Sequence, residues 1–371
     1  MLHCKIYNNS LFHILLLRGV ALFTLFAAAG CDVHEWPEDG DSPAKVRCYV
    51  RLRYHAGSMP LYSTVEYDRD GTMATSRSDA APQLRYLLNI YESGSSRNSR
   101  VPSDYVTGVI TLDGSEGDEF ERIVSLSLPV GNYEIIAWSD YVEDISAGDL
   151  FYATPDMSAI SIIPDESGRH PGNTELRQAW RGMTGISITE ADMMAASRGD
   201  SRVIMAEADM IRPMARFRFV TTDVEEFLSR GPESSRGGES IGQGMPLSLD
   251  DYRIVVRYTT YMPSVYNAFV DKPVDSRTGQ SFDASIKRLD DQRAEVGFDY
   301  VFVNGSEARV ELALDVYSNH TRTLISSTPT VSVPLVRGKL TEITGKFLTG
   351  TATGGMGIDP GFNGDYNIEI K

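Results

Sequence analysis

Two mostly β domains, each a sandwich of short strands, are what this sequence predicts, and three observations predict them. Apolar residues recur at every second position along much of the chain, turn-forming Gly, Pro, Asn and Asp separate these segments, and helical patterning is confined to two short stretches. Alternation marks half-buried antiparallel strands because successive side chains point to opposite faces of a sheet. Many short strands with turn signals and almost no helix give an all-β class and a sandwich for each half.

The chain opens on a leader. Lys5 and Arg18 are basic, Gly19–Ala29 is uncharged, and the small residues Ala28, Ala29 and Gly30 precede Cys31. These are the parts of a secretory signal, too short to read as a membrane span. Gly30 fits the narrow cleft of a peptidase that cuts before an acylated cysteine, and Cys31 carries the thiol, so residues 1–30 are expected to be a lipoprotein signal peptide and Cys31 its lipidation site. An ordinary cut after Ala27 or Ala29 is the alternative. Residues 31–45, with Trp36, Pro37, Gly40 and Pro43, form a polar, turn-rich lead expected to act as acylated N-terminus and spacer. Several acyl chains on one cysteine hold a bilayer far more durably than one.

Removing the first thirty residues takes away two basic and no acidic residues, leaving a net charge of −18. That argues against nucleic acid as a partner, because phosphate binding needs a positive surface. The remaining 341 residues exceed the usual size of one domain. Only Cys31 and Cys48 remain, so no disulfide framework is expected, and Cys48 reads as a small core residue.

In the first half, Cys48, Val50, Leu52 and Tyr54 alternate with Arg47, Arg51 and Arg53. Leu61–Glu66, Leu84–Tyr91, Tyr105–Leu112, Tyr133–Trp138 and Ile160–Ile163 read as further strands. Pro129 to Asn132 reads as a tight turn pairing Ile123–Leu128 with Tyr133–Trp138 in a hairpin. Gly94–Arg100 reads as an exposed loop. One short helix is expected after Thr189, and another near Thr222 with Glu225 as its capping partner. The loop Ser229–Ser240 follows. A boundary between Asp209 and Pro213 divides an N-terminal domain, 46–210, from a C-terminal domain, 211–371. Beyond it the alternation restarts at Met214–Val220 and continues through Tyr252–Tyr258, Phe282–Ile286, Glu295–Phe302, Ala308–Val316, Val331–Val336, Leu340–Leu348 and Tyr366–Ile370.

No catalytic constellation emerges, and no enzyme is expected. His34, His55, His170 and His320 are scattered without ligand spacing and read as surface or capping residues, so no metal is expected. The acidic groups around Asp68 and Asp70, and around Asp113, Glu116, Asp118 and Glu119, do not follow the calcium-loop pattern and read as solvated turns. Gly350–Gly364 lacks the Lys and the following helix of a phosphate-binding loop, so no nucleotide cofactor is expected. Tyr258, Tyr261 and Tyr266, around Met262 and Pro263, offer a ligand or partner surface. A strand and turn buried between domains is the alternative. Tyr366, Ile368 and Ile370 behind the glycine-rich segment read as a terminal strand of the domain's own sheet, with a strand-exchange element as the alternative.

Met59–Asp68, Ser127–Tyr141, Arg212–Val220, Tyr252–Pro273 and Val333–Gly350, with the leader and DVHEWPE after it, together resemble the fimbrial anchor and fimbrillin-like lipoproteins of Bacteroidales. The resemblance touches nearly the whole chain in order. It implies two transthyretin-like β-sandwich domains, export to the outer membrane, and anchoring, capping or accessory work in a surface fimbrium whose subunits are completed by a neighbour's β-strand. Fimbrial subunits and the outer membrane are the partners it implies. In polymerising members a protease cuts after an arginine; Arg47, Arg51 and Arg53 alternate within a strand, which favours an anchor or accessory subunit. A surface lipoprotein that binds glycans, nutrients or a host protein on the same fold remains open as the alternative.

Overall fold

The first stretch of alternation becomes strand β1 (Val46–His55), which pairs antiparallel with β4 (Glu119–Leu128) and parallel with β9 (Met205–Met210). This is a computed structural model, and it describes residues 44–55, 82–93, 103–111, 119–200, 202–229, 248–349 and, for the backbone, 366–369. Cys48, Val50, Leu52 and Tyr54 face inward, while Arg51 and Arg53 reach Glu207 and Asp209 across the parallel pair. A second sheet, in the order β3 (Asp104–Ile110), β2 (Gln83–Glu92), β5 (Gly131–Val142) and β8 (Ala179–Ile188), closes over that face. Cys48 is buried as expected, and burial pushes its thiol up to about 11, which keeps it unreactive.

The expected hairpin between β4 and β5 is not made. β4 pairs with β1, whereas β5 pairs with β2 and β8, so residues 129 and 130 carry the chain from one layer to the other. Val124, Leu126 and Leu128 meet Tyr133, Ile135 and Ala137 in one core across the sandwich. The same alternation serves strands that face each other and strands that lie side by side. The Tyr133 hydroxyl donates to the Pro129 carbonyl at 3.1 Å and pins the corner.

The second sheet is buried on both faces. Leu84, Tyr86, Leu88 and Ile90 fill the first core, while Leu87, Tyr91, Ile136 and Trp138 turn outward into a second, larger one. What covers them is a sheet built from both halves of the chain, in the order β13 (Lys272–Arg277), β12 (Met262–Asn267), β7 (Ile160–Ile162) and β6 (Tyr152–Ala153). Trp138 meets the Tyr152 ring edge-on at 5.6 Å, and Tyr266 stacks on Phe302 at 5.0 Å. Such ring pairs add to the large apolar area that aromatics bury.

The second half makes its own sandwich. One sheet runs β15 (Lys287–Arg288), β16 (Ala294–Phe302), β10 (Met214–Thr221), β20 (Leu340–Gly345), β21 (Tyr366–Glu369). The other runs β14 (Ser281–Ala284), β11 (Tyr252–Tyr258), β17 (Glu307–Ser318), β18 (Leu324–Ser327), with β19 (Val331–Val336) also on β17. β9 and β10, either side of residues 211–213, lie in different sheets. A bulge between Phe219 and Val220 lies opposite Gly297, whose φ of 143° suits glycine, and whose Cβ, if present, would lie 2.9 Å from that of Ala284.

The first expected helix is α1 (Glu190–Ser197), with Thr189 and Asp192 closing a reciprocal capping box. The second is α2 (Val224–Ser229), but Thr222 does not cap it through Glu225. The Thr222 hydroxyl donates instead to the Gly345 carbonyl. The expected strand Leu61–Glu66 and the segments Gly94–Arg100 and Gly350–Gly364 lie outside the described residues, as does the loop Ser229–Ser240 beyond its first residue.

Candidate functional site

Two features stand out: a buried polar junction that joins the two halves of the chain, and a sheet edge in the second half. The junction forms where the connection between β7 and β8 runs over β16. Thr174 starts a turn of 3-10 helix at Glu175–Arg177 by accepting from Leu176 N, and this turn aims Arg177 inward. Arg177 and Asp299 of β16 pair, each with its side chain 1% exposed. Arg177 Nη2 donates to the Tyr300 carbonyl at 3.2 Å, and Asp299 accepts from His170 Nε2 at 2.6 Å, the Tyr258 hydroxyl at 2.6 Å and Tyr300 N at 2.8 Å.

The electrostatics follow from this ring of donors. Burial resists ionisation of Asp299, but Arg177, His170 and Tyr258 hold its carboxyl below the usual carboxylate range. Burial lowers His170, with Asp299 opposing and Arg177 adding to the effect. His170 Nε2 lies between Asp299 Oδ2, at 2.6 Å, and Arg177 Nη1, at 2.8 Å, while its Nδ1 is buried without a hydrogen-bond partner. His170 therefore sits in the interior, not at the surface as its isolation in sequence suggested. An acid, a base and a cation converge here, yet all are buried, so the arrangement locks two segments together and offers no entry for substrate.

The sheet edge is made by β20 and β21. β20 lies parallel to β10, and β21 adds parallel to β20 with Thr341, Glu342, Ile343 and Thr344 opposite Tyr366, Asn367, Ile368 and Glu369. Beside it, the buried Asp223 carboxylate accepts from Thr349 N at 2.7 Å, Thr349 Oγ1 at 2.7 Å and Leu348 N at 3.2 Å, besides the Thr221 hydroxyl. This clasp fixes the chain where it leaves β20. Tyr366 and Ile368 thus lie in the chain's own sheet, while Ile370 and Cys31 are outside the described residues.

The three tyrosines do not share a surface. Tyr258 is buried in the junction, and Tyr266 is buried with its hydroxyl on Asp271, which Arg337 also holds. Tyr261 alone is exposed, at 68%. Tyr258 and Tyr266 follow the reading of a buried strand and turn, because β11 and β12 direct both rings into the larger core. Among the described residues, no group of three or more His, Cys, Asp and Glu side chains is placed to hold a metal ion, and no helix is long and apolar enough to cross a membrane.

No curated protein sequence matches the chain. Solved structures similar to it include a DUF1812 protein of Bacteroides thetaiotaomicron, at 11% identity, covering 76% of this chain and 79% of that one with a TM-score of 0.42. They also include the fimbrial anchor protein Mfa2 of Porphyromonas gingivalis, at 11% identity, 76% and 81% coverage and a TM-score of 0.38. The tip fimbrial protein Mfa3 of the same organism is similar at 9% identity, 78% and 81% coverage and a TM-score of 0.34. The profile of a family of unknown function, DUF6562, matches residues 56–371, and the chain belongs to that family.

Proposed function

We propose that the chain is a non-enzymatic outer-membrane lipoprotein, acylated at Cys31, that serves as an anchor or accessory subunit of a surface fimbrium and takes part in cell adhesion. The observation that carries this reading is the edge at β20, where the chain's last strand joins its sheet by backbone pairing over four residues. An edge that takes one strand in this way offers the same donors and acceptors to a strand from another subunit. The ordered resemblance of the sequence to fimbrial anchor lipoproteins supports it further, as does the small-residue run before Cys31.

Residues 31–45 act as the tethered spacer, and 46–210 and 211–371 as the two domains, with the shared sheet of β6, β7, β12 and β13 stiffening the join. Tyr366, Ile368 and Ile370 form the strand-exchange element. The partners are fimbrial subunits, by strand addition, and the outer membrane, through the lipid. The test is cross-linking on cells that visibly make the fibre, followed by mass spectrometry of what is captured. Recovery of a fimbrial subunit joined near β20 or β21 supports the reading, and repeated capture of none defeats it.

A further inference from the structure

We infer that the cavity between the outer face of β2 and β3 and the loop at 144–155 binds a neutral saccharide unit, as at the end of a surface glycan. The inference goes beyond the fimbrial reading and does not rest on it. The cavity measures about 470 Å³, and Arg85, Asn89, Tyr105, Thr107, Asp149 and Thr154 are among its lining residues. That volume falls within the range of small-molecule sites and leaves room for one or two sugar rings.

The sheet register assembles the site. Asn89 lies directly opposite Tyr105, and Leu87 opposite Thr107, in the antiparallel pair. β3 is an edge strand, so the Tyr105 ring is 51% exposed at the cavity rim. The loop that forms the other wall is fixed. Ile145 N donates to Gln83 Oε1 at 3.0 Å, and Asp149 accepts from Thr154 N at 2.7 Å and Thr154 Oγ1 at 2.9 Å. A wall already ordered before binding saves the ligand the entropy of ordering it.

The charge selects the ligand class. Arg85 donates to both oxygens of Asp140, at 2.7 and 3.1 Å, and to Asp149 Oδ1 at 2.5 Å. The one guanidinium is thus already engaged by two carboxyl groups and offers no free cation to phosphate, sulfate or carboxylate ligands. Both Asp149 oxygens already accept hydrogen bonds, so the group is no cradle for a metal ion.

Asn89 decides what remains. Its side chain lines the cavity, the residue is only 6% exposed, and the amide has no hydrogen-bond partner among the described residues. The amide's polar atoms open onto the cavity, so its two donors and two acceptors are served by water until a ligand takes them over. Adjacent sugar hydroxyls each give a donor and an acceptor that match it, while the Tyr105 ring presents an apolar face to the C–H side of a pyranose. A neutral, polyhydroxylated ring meets all three conditions.

The test is ligand-observed NMR and calorimetry on the full chain in a detergent without a sugar headgroup. The probes are glucose, galactose, mannose, fucose and N-acetylglucosamine, with N-acetylneuraminic acid as the anionic comparison. At least one neutral sugar is expected to bind, with Tyr105→Ala and Asn89→Leu each weakening it by about tenfold or more. Tyr105→Ala alters an exposed side chain, so its thermal transition should stay where the wild type's is. Binding by none of the neutral sugars overturns the inference. So does binding that survives both substitutions, or N-acetylneuraminic acid binding more tightly than every neutral probe.

Discussion

Arg177→Met removes the cation from the buried junction while keeping an unbranched side chain of similar reach. Asp299 would retain His170, Tyr258 and the Tyr300 amide, but would lose its countercharge, and the Tyr300 carbonyl would lose its donor. Removing one partner of a buried ion pair costs about 3–5 kcal/mol. The loss should be read by urea denaturation near pH 8. The double variant Arg177→Met with Asp299→Leu should cost less than the two single losses together, by roughly 0.5–3 kcal/mol, because the second change removes the stranded carboxylate.

The pH dependence sharpens the test. In the wild type, the folded pKa of His170 lies below its ordinary value of 6.5, so the unfolded chain takes the proton first. Stability from this group is complete above that value and is lost as the pH falls through the lowered folded pKa. Without Arg177, burial and Arg277 still oppose protonation of His170, but one lowering charge is gone and the folded pKa moves upward. The gap between variant and wild type should therefore narrow on acidification from about pH 8 to about pH 5.5. A loss under about 1 kcal/mol near pH 8 would refute the ion-pair account. A gap that widens in acid would refute the role given to His170.

Gly172→Ala should destabilise by about 1–3 kcal/mol, since its new Cβ would sit 2.3 Å from the ring of Phe282, itself 2% exposed. An unchanged thermal transition would count against this packing. Asp223→Ala leaves the Leu348 and Thr349 amides without their buried acceptor and should cost about 1–3 kcal/mol. Hydrogen exchange should quicken at those two amides, and unaltered protection there would contradict the clasp. Cys31→Ser should release the chain from the membrane fraction with its thermal transition unchanged. A variant that still sediments with membranes would show that another segment holds it.

Some of this fold was plain in the sequence. The alternation of Cys48, Val50, Leu52 and Tyr54 against Arg47, Arg51 and Arg53 fixed both the strand and its buried face, because one side of β1 meets solvent. The two-sided burial of the second sheet went unread although its signal was present. LRYLLNIY and IIAW are nearly continuous apolar runs, as expected where both faces of a strand are covered. Each was read as a strand without a statement of which faces are covered. The shared sheet had no local signal, since β7 is three residues long and its partner β12 begins a hundred residues later. Tyr258 and Tyr266 suit either a surface or a buried strand and turn by sequence, and their tertiary partners reveal them as core. His170 offered no clue, as its partner Asp299 lies 129 positions away.

How open the β20 edge is to a guest strand depends on what the other edges present. β13 carries Pro273, which has no N–H, together with Lys272, Asp275 and Arg277, and β15 is Lys287 and Arg288. β4 exposes Glu119, Glu121 and Arg122, and β9 exposes Glu207 and Asp209. Proline and charge on an edge discourage another chain from pairing there, and short strands give it little to hold. β21 is Tyr-Asn-Ile-Glu, with a single charge, and its described pairing is only four residues long. At about 0.5–1.5 kcal/mol net per backbone hydrogen bond, such a pairing contributes a few kcal/mol. An incoming strand that ran the six residues of β20 would match more of the edge than β21 does. It would also gain alternate side-chain contacts along its length.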